Sequence, residues 1–253
     1  MTPDPFSLQG CTALVTGARR GIGAAIAAGY AAAGAELILM ARDAALEDTL
    51  EAIKQNGGGA ATVVTADFAD PSAVEAAAAE LAANRRIDIL VNNAGTIRRA
   101  PAAETSTADW QHVIDVNLNS TWAVTRPVGR AMVERGAGRI ITIASLLSFQ
   151  GGITVPAYTA SKHAVAGLTR ALAGEWGPAG VQVNAIAPGY ISTDNTTLLR
   201  ADPAREPAIR ERIPAGRWGR PEDVVGAAVF LASAAAGYVN GHIIAVDGGW
   251  LAR

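Results

Sequence analysis

Apolar positions fall into two kinds of stretch that alternate along the chain. Short, nearly continuous apolar runs occupy 11–17 (CTALVTG), 35–41 (AELILMA), 60–66, 87–91 (IDILV), 139–144, 181–187 and 242–246. Runs of this length, bounded by glycine or polar residues, read as strands buried on both faces. Longer segments separate them at 21–34, 73–83, 110–135, 157–176 and 221–235, and these carry helical patterns. A further helix is expected after Asp43, which reads as its cap, ending at the glycine triplet 57–59. Pro71 falls where a first helical turn belongs. The Ala/Glu stretch 73–83 reads as a solvated surface helix, and 110–135 as one long helix disturbed at Pro127. Alternation of strand and helix specifies a single-domain, doubly wound parallel sheet, Rossmann-like, of about seven strands with helices on both faces. The segment 188–220, rich in Pro, Thr and Arg, is long for a connection in a compact α/β fold, so it is expected to be a substrate lid.

Composition narrows the function. The 253 residues are 50% hydrophobic and 17% charged, enough for a sizeable core in one α/β domain over 1–253. A net charge of −2 and 5% aromatic residues give no basic field for nucleic acid or a membrane surface. No apolar run is long enough to span a bilayer, and the opening MTPDPFSLQG does not read as a signal peptide. The single cysteine, Cys11, fits core filler in a reducing cytoplasm. His112, His163 and His242 show no ligand spacing, so no metal site is expected.

Chemistry concentrates in ITIASLLSFQGGITVPAYTASK, residues 141–162. A strand, a loop and a helix start bring Ser145, Tyr158 and Lys162 to the carboxyl edge of the sheet. Tyr158 and Lys162 are i,i+4, so both lie on one helix face. A free phenol, with a pKa of about 10, is a poor acid–base at neutral pH. A nearby ammonium favours the phenolate and moves it toward a working range. Ser145 is placed to hold the substrate oxygen that Tyr158 protonates. Lys54 and Lys162 are the only two lysines, and the remaining nineteen basic residues are arginines. A lysine in this company suits a site needing a compact ammonium rather than a planar fork.

Between the first strand and its helix lies TGARRGIG, with Gly17, Arg19, Arg20, Gly21, Ile22 and Gly23. Glycines there let the backbone turn sharply and approach a pyrophosphate on the helix end. At the tip of the second strand, Ala41 stands where an acid would bind a ribose 2′-hydroxyl, and Arg42 comes next. Arg42 with Arg20 or Arg19 suits a 2′-phosphate, which favours NADP over NAD.

Together TGARRGIG, the NNAG at 92–95, Asn117, Ser145, Tyr158-x3-Lys162 and Pro188-Gly189 resemble the short-chain dehydrogenase/reductase family, in its order and spacing and over essentially the whole chain. The resemblance implies that Tyr158 is the acid–base and Ser145 orients the substrate carbonyl. It implies that Lys162 binds the nicotinamide ribose and lowers the tyrosine pKa, and that Asn117 holds a water in a proton relay. It further implies that Asp67, with Phe68 beside it, meets the adenine, and that Asn93, Ala94 and Gly95 wall the adenosine ribose. Pro188, Gly189, Ile191 and Thr193 match the segment holding the carboxamide. It implies NAD or NADP as cofactor and a homotetramer built on the helices 110–135 and 157–176 and the last strand. The second half, with ASLLSFQGG, RIPAGRWGRPED and YVNGHIIAVDGGWLAR, is similar to family members acting on deoxy sugar acids. A plain gluconate or a 3-oxoacyl thioester is the alternative substrate, the latter favoured by the arginines at 98–99 and 126–139. A sugar acid needs a carboxylate partner, for which Arg98, with Arg99 beside it, is on the correct edge and the lid arginines are further candidates. Gln150 and Asn195 suit sugar hydroxyls, and Trp218 is a candidate contact.

Overall fold

The computed structural model describes residues 4–253; residues 1–3, where the stretch read as no signal peptide begins, lie outside the described residues. Seven parallel strands form one sheet in the order β3-β2-β1-β4-β5-β6-β7. They are β1 (Thr12–Thr16), β2 (Glu36–Ala41), β3 (Thr62–Thr65), β4 (Ile89–Asn92), β5 (Gly138–Ile143), β6 (Val181–Pro188) and β7 (Ile243–Val246). The chain winds outward from β1 to β3, then crosses back to β4 and winds the other way. Ligands of such sheets settle in the crevice at that reversal, beyond the carboxyl ends of the strands.

The central strands are buried on both faces, so successive side chains feed opposite cores. Val15 and Leu39 pack on one face with Ile26 and Tyr30 of α1 (Gly21–Ala32) and Val224 and Leu231 of α9 (Glu222–Ala232). Their neighbours Leu14 and Ile38 pack on the other face with Val74 of α3 (Pro71–Asn84) and Val124, Val128 and Met132 of α5 (Ser120–Arg135). Helix α3 thus buries Val74 and Ala78 and is solvated only on its outer side. Asp70 caps it, accepting from the Ser72 and Ala73 N–H groups, with Pro71 in the first turn.

Three expectations change. Asp43 is not a helix cap: α2 spans Glu47–Gln55, and Leu46 stands at its N-cap position. Asp43 instead accepts the Ala45 N–H in a local turn and pairs with Arg19. The expected single helix over 110–135 is two, α4 (Thr107–Ile114) and α5, and the break is not at Pro127, which sits within α5. Between them Asp115–Asn119 forms a π-helical turn. Its wider loop inserts a residue and re-aims the helix that comes after it. The Asp115 carboxylate holds the turn by accepting from the Gln111 and Asn119 amides. The segment 188–220 is not structureless, since it contains α7 (Thr197–Arg200) and α8 (Arg205–Arg212). Helix α6 (Pro156–Trp176) completes the set. Cys11 is partly buried against the first core.

Tyr30 is fully buried, and its hydroxyl donates to the Ala228 carbonyl at 3.0 Å, tying α1 to α9. Burial pushes that phenol well above its ordinary pKa. Tyr30→Phe should therefore destabilise the fold by about 1 kcal/mol, the net contribution of one hydrogen bond. Thermal unfolding should show a melting point lower by about 2–4 °C, and an unchanged melting point would contradict the role.

Candidate active site

The last residue of β5 leads through Ala144, whose N–H donates to the Ile186 carbonyl at 2.7 Å, to an extended Ser145. The Ser145 hydroxyl accepts the Leu147 N–H at 3.2 Å and starts a short turn. Helix α6 then opens with Pro156, suited by its fixed φ to a first turn. Tyr158 and Lys162 share one face of it, with the ammonium 5.6 Å from the phenol ring centre. Lys162 is 5% exposed and donates to the Ile143 carbonyl at 2.7 Å. Burial pushes its pKa down to about 8. Tyr158 is raised by burial, while a hydrogen bond with Ser145 and the charge of Arg99 pull it back. The expectation that the amine by itself lowers the phenol is thus not what this cleft shows. The ammonium is engaged by a strand carbonyl, and desolvation of the phenol dominates.

Asn117 sits in the π-helical turn, 1% exposed. Its oxygen accepts the Thr96 N–H at 2.8 Å, and its amide donates to the Thr96 carbonyl and the Ser161 hydroxyl. Both amide hydrogens are used, so the side chain braces the loop after β4 against α6. It does not line the cleft. The water-holding role expected of it falls on no free donor of this side chain.

A cleft of about 430 Å³ runs along the carboxyl edge from Asp67 and Phe68 past Gly17, Arg20, Gly21 and Ile22 to Tyr158, Lys162 and Thr193. Its size and lining suit a dinucleotide. The glycine loop is held from below by Asn93, whose amide donates to the Thr16 and Gly17 carbonyls, both at 3.0 Å. Gly17 has φ +64°, and a Cβ there would lie 2.8 Å from the Ala94 Cα. Gly23 does not line the cleft. A Cβ on it would meet the Gly17 carbonyl at 2.4 Å, so it matters as the space beneath the loop. Helix α1 begins after Arg20 with no side-chain cap, leaving its first N–H groups for an anion. Ala94, Gly95, Pro188, Gly189 and Ile191 complete the expected walls.

At the tip of β2 the acid is absent, as Ala41 implied, but two carboxylates stand close by. Asp43 takes Arg19 at 3.0 Å and lies 3.8 Å from Arg42. Arg19 is the chief reason the Asp43 carboxyl is held below its ordinary range. Arg20 pairs at 2.6 Å with Asp194, which comes from the 188–220 segment across the cleft.

Of the substrate candidates, Ser145 and Asn195 reach the cleft; Arg98, Gln150 and Trp218 do not. Arg98 turns to Asp109 at 3.7 Å. The Gln150 oxygen accepts the Trp250 indole N–H at 3.3 Å. Trp218 stacks edge-on against Tyr190 and donates to Glu206. Arg99, which like Arg98 does not line the cleft, is near enough for its charge to act on Tyr158 and Tyr190, and it donates to the Asn195 carbonyl. Thr96, His112 and Val116 also line the cleft. The helical spacing of His112 and Val116 on one side was the signal available for them.

Comparison with known proteins agrees with this geometry. Residues 17–251 match the family model described as enoyl-(acyl carrier protein) reductase. The 2-dehydro-3-deoxy-D-gluconate 5-dehydrogenase of Bacillus subtilis is 58% identical over 250 residues, covering 99% of this chain and 98% of that protein. A proposed NAD(P)-dependent gluconate 5-dehydrogenase from Beutenbergia cavernae, solved with NADP at low occupancy, is 58% identical with a TM-score of 0.96, covering 99% of this chain and 100% of that one. A proposed 2-deoxy-D-gluconate 3-dehydrogenase from Agrobacterium tumefaciens, solved with NADP, is 56% identical with a TM-score of 0.92, covering 99% and 100%.

A buried ammonium is costly to the fold. The folded pKa of Lys162, about 8, lies below the ordinary 10.5. The unfolded chain therefore binds the extra proton between those values, and stability rises with pH across that window. Lys162→Met should abolish turnover yet stabilise the protein at pH 7 by about 1–2 kcal/mol, with the gain fading toward pH 10.5. Chemical denaturation of both proteins at pH 7 and 10 checks this; a destabilised variant at pH 7 would contradict it.

Proposed function

We propose that this chain, which belongs to the short-chain dehydrogenase/reductase family, interconverts a secondary alcohol and a ketone on a deoxy sugar acid of the 2-dehydro-3-deoxy-D-gluconate type. The observation that carries the reading is Tyr158 beside Ser145 with Lys162 beneath it, all opening on one dinucleotide-sized cleft. The nicotinamide supplies hydride transfer when bound. Gly17, Arg20, Gly21 and Ile22 would hold its diphosphate, Asp67 and Phe68 its adenine, and Thr193 its carboxamide end. Ser145 positions the substrate oxygen. Tyr158 takes the hydroxyl proton in oxidation and returns it in reduction. Lys162 fixes the helix face on which Tyr158 stands.

The missing acid at Ala41 and the arginines around it favour NADP, with NAD also admitted. Two similar structures hold NADP. Arg99 is the partner we assign to the substrate carboxylate, in place of Arg98, because its charge acts on Tyr158 and it carries no ion pair among the described residues, whereas Arg98 is paired with Asp109. The segment 188–220 acts as the lid that brings Asn195 over the substrate. A gluconate is the second reading, supported by the similar gluconate 5-dehydrogenase. An acyl-carrier partner finds less support. Arg126 is paired with Glu75 and Arg130 with Glu134. Arg135 donates to the Ile87 and Ala137 carbonyls, and Arg139 to Gln182. Among the described residues, these arginines leave no free basic row for docking.

Exposed Trp110 and Trp122 on α4 and α5 support helix-to-helix assembly into a homotetramer. No described helix is long and apolar enough to cross a membrane, which accords with a cytoplasmic enzyme.

Absorbance of the reduced nicotinamide, followed over a panel of keto-deoxy sugar acids, gluconate and an acyl thioester, should show the highest kcat/KM for a deoxy sugar acid. Tyr158→Phe should lose about 10²–10⁴ in kcat while cofactor affinity survives. Arg99→Ala should raise KM for the acids with kcat nearly kept. Turnover of the acyl thioester alone, or near-normal turnover by Tyr158→Phe, would defeat the reading.

A further inference from the structure

Among the described residues, Thr154 alone of the non-glycine residues has a left-handed backbone, at φ +64°. For a β-branched side chain that region is strained. The same loop already uses glycine at 151 and 152, yet the left-handed position is held by threonine. Strain of this kind persists only where the surroundings over-determine the backbone. Here they do so from two sides. The Thr154 carbonyl accepts the Ala100 N–H at 3.0 Å, and the next residue, Val155, is buried at the head of α6, where its carbonyl accepts the Thr159 N–H at 3.0 Å. At Thr154 the chain therefore joins the segment after β4 to the helix that carries Tyr158 and Lys162. Ala100 adjoins Arg99, whose guanidinium donates to the Asn195 carbonyl at 3.4 Å, and Asn195 lines the cleft. Arg99 is held near its root by Thr154 and at its tip by the lid segment.

We propose that Thr154 is a positioning residue, whose left-handed backbone and stiff side chain fix the Arg99–Ala100 segment against the start of α6 and so hold Arg99 in register with Tyr158. The proposal rests on the assignment of Arg99 to the substrate carboxylate and deepens it. A threonine at positive φ has one narrow well, further restricted by its hydroxyl, which donates to the Ile153 carbonyl at 2.6 Å. Glycine would adopt the same φ without strain but would also populate the other sign. Replacing threonine by glycine thus relieves the fold while loosening the tie to Ala100. Stability and substrate affinity should move apart, which a residue that merely holds the fold together would not produce. Asparagine tolerates the left-handed region better than threonine and is less free than glycine, so it should preserve the tie.

The test is steady-state kinetics on 2-dehydro-3-deoxy-D-gluconate at saturating nucleotide for wild type, Thr154→Gly, Thr154→Asn, Arg99→Ala and the Thr154→Gly/Arg99→Ala double variant, with the melting point of each. Thr154→Gly should raise KM about two- to five-fold, the effect of freeing one backbone residue, with kcat nearly kept and the melting point not lowered. Thr154→Asn should keep the wild-type KM. Because Thr154 acts through Arg99, adding Thr154→Gly to Arg99→Ala should change KM no further. An unchanged KM in Thr154→Gly, or the same factor in both backgrounds, overturns the proposal while leaving the assignment of Arg99 standing. A KM that Arg99→Ala does not change overturns that assignment, and the proposal with it.

Discussion

The rest of the site depends on one contact, the buried Lys162 ammonium donating to the carbonyl of Ile143. An ammonium taken out of water needs a strong acceptor, and the last carbonyl of a sheet strand is one that helix hydrogen bonding cannot occupy. That contact presses α6 against the end of β5. Because Tyr158 is one helical turn earlier on the same face, it is pressed there too, beside Ser145 where β5 ends. A planar guanidinium would not fit the same point contact. The chain's choice of lysine here, among so many arginines, has this local cause.

Around that contact the structure supports itself in layers. Asn117 ties the loop after β4 to α6 through Thr96 and Ser161. Asn93 ties the same loop to the glycine turn after β1. The proton-handling end and the nucleotide end are therefore joined through one loop, and the amide hydrogens that join them are internally satisfied. The reactive chemistry is left to few groups: the phenol, the serine hydroxyl and the arginines at either rim. Those arginines put positive charge at the β2 tip, where Asp43 partly offsets it, and near Tyr158.

Much of this was legible in the residues. Seven apolar runs became seven strands, because parallel strands are largely apolar and break sharply at their ends. Tyr158 and Lys162 were legible because i,i+4 spacing fixes a shared face. The π-helical turn was not, because an inserted residue leaves the polar–apolar period almost unchanged and the Asp115 contacts that hold it are between side chains. Asp43 misled because a carboxylate before a helix suits a cap, and only the fold brings Arg19 within reach, 24 positions earlier in the chain. Arg98 and Arg99 were inseparable in sequence. Adjacent side chains in extended chain point opposite ways, and which one is tied up depends on where Asp109 lies, which takes Arg98. The carboxylate held by Arg20 comes from a segment 174 positions away, far beyond any local pattern.

Everything in this site converges on Tyr158 as the group that moves the proton. The pH dependence of kcat/KM for oxidation of the preferred sugar acid tests that role most directly. The rate should rise with pH to a plateau, with one limb set by deprotonation of the Tyr158 phenol. The residual rate of the phenylalanine variant should lack that limb. A limb that persists when the phenol is gone would show that another group carries the proton.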